Sequence, residues 1–592
     1  MPPSVARGPD GCLRPAALAL LLGALALLTT FLGLEPLLLF GAWGSDSGEY
    51  ALLSQSLLAH QRFWLQGYHG WGFGYPYFPG MFEVGAAVAS ATGADTLLSL
   101  ELTVPILGAL GVVPLFLLFR RLFPSDRVAL LGAALSGVAS TRLLVLSHAA
   151  PLTLGDLLWV ASLWALVEQR RDARWWAVLS LTAPSLVLTH HLSSYFFLVS
   201  AVGLVVGVEL FAPRRWSRRF PLRELAFLGA FSVALFVYWF DYAPPFAREI
   251  SQGLLGSSPL LAPLGGILGV VVAGALIELR RRRALGGRGR WPAWSVRWPN
   301  RTHVVRDVLV LGGLIFGGLS LLFLVPLPGT GDKVTLLDLL WFTPTVLYVP
   351  LASGAKGVLP IPRLGPAGYT IMIAIGLSAI FALATGNIAI PADRHPEYLF
   401  VPLALVVAVV VGRALASARA SPRRGAYAAA LGAVVVLMAA NAATAYPPPS
   451  VLVGFQEGFT AQDLTLASWM ATELSRGAHL ASDHRLSDLY FFDSGGSPAT
   501  WDNASCLFVG DRNLCAMAEL KSSYLPNPPL RGPVDVVAAD ATMVQSGVAL
   551  DPSEPAVPMS PSALARLAGP GFVVLYSDGD QTVWWASSTA PG

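Results

Sequence analysis

The sequence predicts a polytopic α-helical membrane protein with about thirteen spans and a small extracytoplasmic α/β domain at its C-terminal end. Three observations predict it. Of 592 residues, 54% are hydrophobic and only 13% are charged, half the roughly 25% of a soluble globular domain. That excludes an ordinary soluble enzyme and a disordered chain. Apolar stretches near the ~20 residues that cross a bilayer recur through residues 1–446. Charge is divided: residues 447–592 hold 15 acidic and 6 basic side chains, against 21 and 33 in residues 1–446. Two domains are therefore expected, 1–446 in the membrane and 447–592 outside it.

The spans lie near 15–34, 101–119, 128–146, 154–168, 175–189, 192–212, 225–243, 258–278, 307–326, 335–352, 367–387, 397–413 and 426–445. Residues 15–34 read as an uncleaved first span, because 20 apolar residues exceed a signal-peptide core and no small-residue cleavage site follows. With the N-terminus in the cytoplasm, the inner loops hold 28 Lys and Arg and the outer loops four: Arg62, Arg248, Lys333 and Arg394. This bias sets the orientation of a multi-pass cell-membrane protein. The basic excess thus marks topology rather than nucleic acid; the run Arg280–Arg283 reads as an anchor on anionic lipid. Eight of nine histidines fall at or beyond the outer face, His303 being the exception. Polar chemistry is expected on that side.

The first outer segment, 35–100, is too long for a connector. It contains Gly44-Ser45-Asp46-Ser47-Gly48-Glu49-Tyr50, and the leucines that follow predict an amphipathic helix in the membrane interface. Nine aromatics follow within residues 63–82, and Phe78-Pro79-Gly80 opens a second short helix. Asp46 and Glu49 have the spacing of a helix cap and its capping-box partner, and the aromatics suit an interfacial belt. Carboxylates beside aromatics also suit a sugar site, where a carboxylate takes the proton of an attacking hydroxyl. The second outer loop is read as holding His148 and Asp156, and the third is a turn at His190-His191. No HExxH or CxxC pattern is present. The sequence therefore assigns no metal, and a divalent cation stays open as the cofactor. Near 388–398, Arg394 stands at the bundle mouth, where a cation must pair with a neighbouring acid (Asp393 or Glu397) or bind an anion; arginine suits phosphate.

In the C-terminal domain, Ala461–Ser475 reads as a helix, His479–Ser482 and Val534–Ala539 as strands, and Phe572–Trp585 as a hairpin. Cys506 and Cys515 are placed where a disulfide is permitted, and Asn503-Ala504-Ser505 is an acceptor-type sequon.

The first span, the long outer loop with Asp46 in Gly-Ser-Asp-Ser-Gly-Glu-Tyr, the helix start Tyr77-Phe78-Pro79-Gly80 and the span ending Arg120-Arg121-Leu122-Phe123 together resemble the GT-C superfamily of membrane glycosyltransferases. That superfamily includes protein O-mannosyltransferases and oligosaccharyltransferase catalytic subunits. The archaeal subunits share the span count and the outer C-terminal domain, and Arg394 resembles an arginine of theirs. The segment from Trp469 to Asp483-His484-Arg485 is similar to the one leading to their Trp-Trp-Asp-Tyr-Gly signature, which is absent here. The acidic pair of their second loop is reduced to Asp156, and residues 327–334 lack their acidic motif.

The resemblance implies an inverting transferase that moves a sugar from a polyprenyl-phosphate-linked donor to a protein or glycan acceptor on the outer face. Asp46 would be the catalytic residue. Glu49, His148, Asp156, His190, His191 and Arg394 would bind substrate, with Arg394 on the phosphate. Two rivals are a glycolipid-binding scaffold without catalysis and a transporter of a lipid-linked substrate. The second predicts repeats and mid-membrane charge clusters, neither of which is evident.

Overall fold

The computed structural model describes residues 13–60, 72, 74–123, 125–211, 221–247, 269–279, 310, 312–313, 335–353, 365–385, 390–391, 394–419, 421, 425–448, 451, 457–475, 477–497, 507–508, 534–548 and 559–586. The loop 280–306, Arg248, Lys333, Asn503, Cys506, Cys515 and the aromatics between 63 and 73 lie outside the described residues.

The membrane part runs α1 (Pro15–Leu34), α2 (Ser47–His60), α3 (Gly80–Thr92), α4 (Thr96–Leu110), α5 (Val112–Leu122), α6 (Asp126–Gly137), α7 (Ser140–Ser147), α8 (Pro151–Glu168), α9 (Trp175–Thr189), α10 (His191–Phe211) and α11 (Leu222–Val237). It continues through α12 (Gly269–Leu279), α13 (Leu336–Val346), α14 (Tyr348–Ser353), α15 (Gly365–Thr385), α16 (His395–Arg419) and α17 (Ala426–Ala443). Seven described helices are long and apolar enough to cross a membrane. The pair α6 and α7, bent by 64°, makes an eighth. The expected spans near 175–189, 258–278, 335–352 and 367–387 fall on shorter apolar helices, and 307–326 lies outside the described residues.

Two local rules explain the elements nearest the site. Pro151 starts α8 at a position where a missing N–H costs nothing. That puts Asp156 inside the helix, not in a loop as the sequence suggested. There it is buried and takes Nη1–H of the equally buried Arg142 of α7 at 3.0 Å; two charges inside a bundle are tolerated because they pair. Small residues bring helices together. A Cβ on Gly207 of α10 would lie 1.9 Å from Thr370 Oγ1 and 3.0 Å from Ala367 Cα of α15, the close approach that glycine allows. Gly207→Val is expected to cost about 1–3 kcal/mol through overpacking. A lowered midpoint of thermal unfolding in detergent checks this; an unchanged midpoint refutes the close contact.

The C-terminal sheet domain contains α18 (Ala461–Glu473), α19 (His484–Asp493), α20 (Ala541–Gln545) and α21 (Pro561–Leu567). Its sheet has the order β3 (Leu480–Ala481), β4 (Val536–Asp540), β6 (Gln581–Ala586), β5 (Phe572–Ser577), with β3 and β4 parallel and the others antiparallel. Leu466, Met470, Leu480, Val536, Val537 and Val583 form its core. The helix, strand and hairpin expected from the sequence are present within a few residues. A further ribbon was not foreseen: β1 (Ala42–Trp43), just after α1, pairs with β2 (Gly458–Phe459) at the domain's entrance.

Candidate active site

The β1–β2 ribbon fixes the position of the Gly-Ser-Asp-Ser-Gly segment. Gly44 sits at φ +121° and gives its N–H to Glu457 O at 2.8 Å, while Ser45 N–H reaches the Glu457 carboxylate at 2.6 Å. Below it, Ser47 Oγ–H donates to Glu101 at 2.6 Å and Trp43 Nε1–H to Ser147 Oγ at 3.1 Å. The loop bearing Asp46 is thus clamped from both sides.

Asp46 sits at the centre. Its Oδ1 takes Nε2–H of His484 at 2.6 Å, and its Oδ2 takes the hydroxyls of Tyr50 and Tyr75, each at 2.9 Å. The tyrosine hydroxyls are 3.0 Å apart. The side chain stays 17% exposed, whereas His484 is 1% and Asp488 0% exposed. Burial works to raise the Asp46 carboxyl, but His484 and the two tyrosines outweigh it and hold it below its ordinary value. Asp46 is therefore an ionised acceptor at neutral pH. Burial first, then the Asp46 charge, raises both tyrosines well above 10 and keeps them as O–H donors.

His484 and Asp488 lie on one face of α19 at the (i, i+4) spacing, and His484 Nε2 is 3.3 Å from Asp488 Oδ2. Neither Asp488 oxygen makes a hydrogen bond among the described residues. Burial drives its carboxyl well above the ordinary range, opposed by His484 and reinforced by Glu49 and Asp46. One ligand atom each from Asp46, His484 and Asp488 falls within 4.8 Å of the others. One imidazole and two carboxylates, one of them with its lone pairs unsatisfied, fit a divalent metal ion.

The other expected site residues are distributed. Glu49 does not complete a capping box: fully buried, its two oxygens accept Gly72 N–H at 2.8 and 3.1 Å. The Asp46 carboxylate is likewise spent on side chains. Helix α2 does not lie free in an interface; its first turns are buried and pack against α3, α4 and α19. His148 gives Nδ1–H to Leu144 O at 2.7 Å and turns Nε2 to Glu457 at 3.5 Å. Asp156 pairs with Arg142, as above.

His190 Nδ1 accepts from Ser193 N–H at 3.2 Å and lies 2.8 Å from Ser193 Oγ, itself 2.7 Å from Tyr398 OH. His190 thus carries its proton on Nε2. The His190 and His191 rings are 4.8 Å apart, and His191 lies 4.3 Å from Phe246. Arg394 is 50% exposed and meets Glu397 at 3.3 Å, the ion pair that the sequence had set against anion binding. Its charge reaches His190; burial, then His191 and Arg394, push that imidazole well below its usual value. Sequence reasoning missed His484 and Asp488 as members of the site. The signal for them was the histidine and aspartate one helical turn apart.

His148 carries a pH prediction. Burial opposes its charge, but Glu457 overcomes this and raises its pKa above 6.5, while His148 in turn lowers Glu457. A raised histidine stabilises fully below its unfolded value and loses that contribution as pH rises through the folded one. A lowered carboxylate loses its contribution as pH falls through the folded value. The pair therefore contributes most between about 4.5 and 6.5. The stability gap between wild type and His148→Gln is expected to be widest near pH 6 and to shrink toward pH 8.5, checked by thermal unfolding across pH. A pH-independent gap counts against the pair.

No family profile matches the sequence, and no curated protein does. Solved structures do. The chain is similar to the apo oligosaccharyltransferase of Archaeoglobus fulgidus, with TM-score 0.55, 14% identity, and coverage of 97% of this chain and 75% of that one. It is similar to oligosaccharyltransferase AglB of the same organism in complex with an inhibitory peptide and a dolichol-phosphate (0.52, 15%, 97% and 75%). It is similar, too, to that organism's oligosaccharyltransferase in complex with Zn and sulfate (0.53, 14%, 96% and 73%). The chain is a multi-pass membrane protein with the GT-C fold.

Proposed function

We propose that the protein is a membrane glycosyltransferase that moves a sugar from a polyprenyl-phosphate-linked donor to a protein or glycan acceptor at the extracytoplasmic face. The N-terminus is then cytoplasmic and the sheet domain, residues 447–592, lies outside. One observation carries the reading: in a chain of this fold, the first-loop Asp46 is a partly exposed anion held by three donors from two parts of the chain. The molecules bound in one similar protein support it, since that structure contains an inhibitory peptide and a dolichol-phosphate.

In the reaction, the acceptor hydroxyl attacks the anomeric carbon as the bond from that carbon to the phosphate oxygen breaks, and configuration inverts. Asp46 orients the hydroxyl and takes its proton as attack makes it acidic. The leaving phosphate carries off the electron pair and meets Arg394, with His190 Nε2–H as a second donor. His191, beside Phe246, contributes wall rather than charge, and Glu49, His148 and Asp156 act by holding the loop and the bundle. A divalent cation held by Asp46, His484 and Asp488, with His484 Nε2 giving up its proton to solvent as it binds, would add electrostatic stabilisation of the departing phosphate.

The test is to incubate protein in lipid with labelled polyprenyl-phosphate sugars and follow label leaving the carrier, with water as fallback acceptor. Release that depends on Asp46 supports the reading. Donor binding without release in any combination with acceptors instead supports the scaffold alternative.

A further inference from the structure

The reaction centre is shared between two parts of the chain that are 438 residues apart. Asp46 belongs to the first outer loop, His484 and Asp488 to α19 of the sheet domain. Around the single imidazole stand Asp46 at 2.6 Å and Asp488 at 3.3 Å. Two carboxylates thus share one imidazole in a buried space, with one ligand atom from each residue within 4.8 Å of the others. A carboxylate that is fully buried and makes no hydrogen bond is strongly disfavoured as an anion unless a cation compensates it. Among the described residues Asp488 is that carboxylate, and it faces the same Nε2 that contacts Asp46.

The helices carrying these groups meet through backbone. A Cβ on Gly48 of α2 would lie 2.3 Å from the carbonyl oxygen of Asp488 and 2.8 Å from Leu489 N. Only glycine lets α2 lie on α19 closely enough for the three ligand atoms to converge. Docking of the domain and assembly of the ligand set are therefore the same geometric event.

From this we infer that a divalent cation held by Asp46, His484 and Asp488 is the fastener that docks the sheet domain onto the first outer loop, so that cation binding and closure of the site are thermodynamically one step. The mixed nitrogen and oxygen donors select a transition-metal ion such as Zn²⁺ or Mn²⁺ over Ca²⁺ or Mg²⁺, which favour all-oxygen sites. Linkage then requires that whatever loosens the α2–α19 contact weakens the cation, and that the cation tightens the contact. The inference rests on the three side chains of the proposed reaction, but not on which sugar is moved or whether one is.

The test uses the full chain in lipid nanodiscs, stripped with a chelator and titrated with Zn²⁺ or Mn²⁺ alone. Bound metal and hydrogen exchange are read on the same samples. Wild type is expected to bind one ion per chain and to gain protection at the amides of Ser47–His60 and His484–Asp493 together. Asp488→Asn and His484→Gln are expected to lose at least the roughly 10–100-fold in affinity that removal of an outer-shell partner costs. Gly48→Ala, which keeps all three ligands, is expected to weaken both binding and protection. Unfolding of an unliganded variant is recognised by loss of protection at Val536–Asp540, and near-isosteric Asp46→Asn then replaces that variant. Absence of stoichiometric binding overturns the inference, as does binding indifferent to these substitutions. Binding that leaves the exchange of both helices unchanged removes the fastening role. None of these results depends on transfer activity, so failure here is separable from failure of the glycosyltransferase reading.

Discussion

Asp46→Asn is expected to leave the protein folded and to lower transfer by about 10²–10⁴-fold, the range of a positioned proton acceptor. The geometry says why an isosteric change is so costly. The carboxylate only accepts, and all its partners donate: His484 Nε2–H on one oxygen, Tyr50 and Tyr75 hydroxyls on the other. An amide has one oxygen. Either its NH₂ faces His484 Nε2, which must then give up its proton there, or it is flipped and faces two hydroxyls, which must then accept; one side of the site always loses the acceptor its donors used. The anion is lost as well. Tyr75→Phe removes one donor and leaves the charge, so a smaller loss is expected, about one to two orders of magnitude for a hydrogen bond to a charged group. Rates of label release from the lipid carrier, with circular dichroism as a fold control, check both. Wild-type rates with Asn at position 46 would remove Asp46 from the mechanism.

The membrane architecture was legible because hydropathy is a local property: a run such as 397–413 declares its helix without knowing its neighbours. Asp46 was legible for a similar reason, as an acid in a glycine- and serine-bounded segment after the first span. Its setting was not. His484 approaches it across 438 residues, and nothing in either segment encodes the other. The same blindness misplaced Asp156. Read alone, an acid at the edge of an apolar run belongs in a loop; paired with Arg142, it can be buried in α8. The capping-box reading of Asp46 and Glu49 failed on tertiary grounds too. Spacing alone cannot register that Gly72 N–H, 23 residues on, claims Glu49, or that two tyrosines and a histidine claim Asp46. Arg394 and its neighbour Glu397 went the other way, because an (i, i+3) pair is local.

The remaining large effect is expected one residue beyond the site histidine. Arg485 is buried and takes three carboxylates at once: Asp463 at 2.8 Å, Asp483 at 3.4 Å, and Asp540. Each acid also serves a helix start. Asp463 closes the Thr460 capping box of α18, Asp483 takes Leu486 N–H of α19 at 2.8 Å, and Asp540 takes Met543 N–H of α20 at 2.7 Å. Three helix N-termini, each a partial positive charge, and one guanidinium together balance three buried anions. Arg485 also reaches Gly458 O of β2 at 3.4 Å, which ties this node to the ribbon that holds the Asp46 loop. Replacing it with methionine keeps the stem and removes the fork, so three carboxylates are left facing one another. Removal of one partner from a buried ion network costs about 3–5 kcal/mol. Arg485→Met is therefore expected to raise hydrogen exchange across Val536–Asp540 by orders of magnitude and to abolish transfer, because α19 no longer presents His484 to Asp46. Arg485→Lys, with charge but no fork, should fall between the two. Unchanged exchange with methionine would mean that the three caps hold without the arginine.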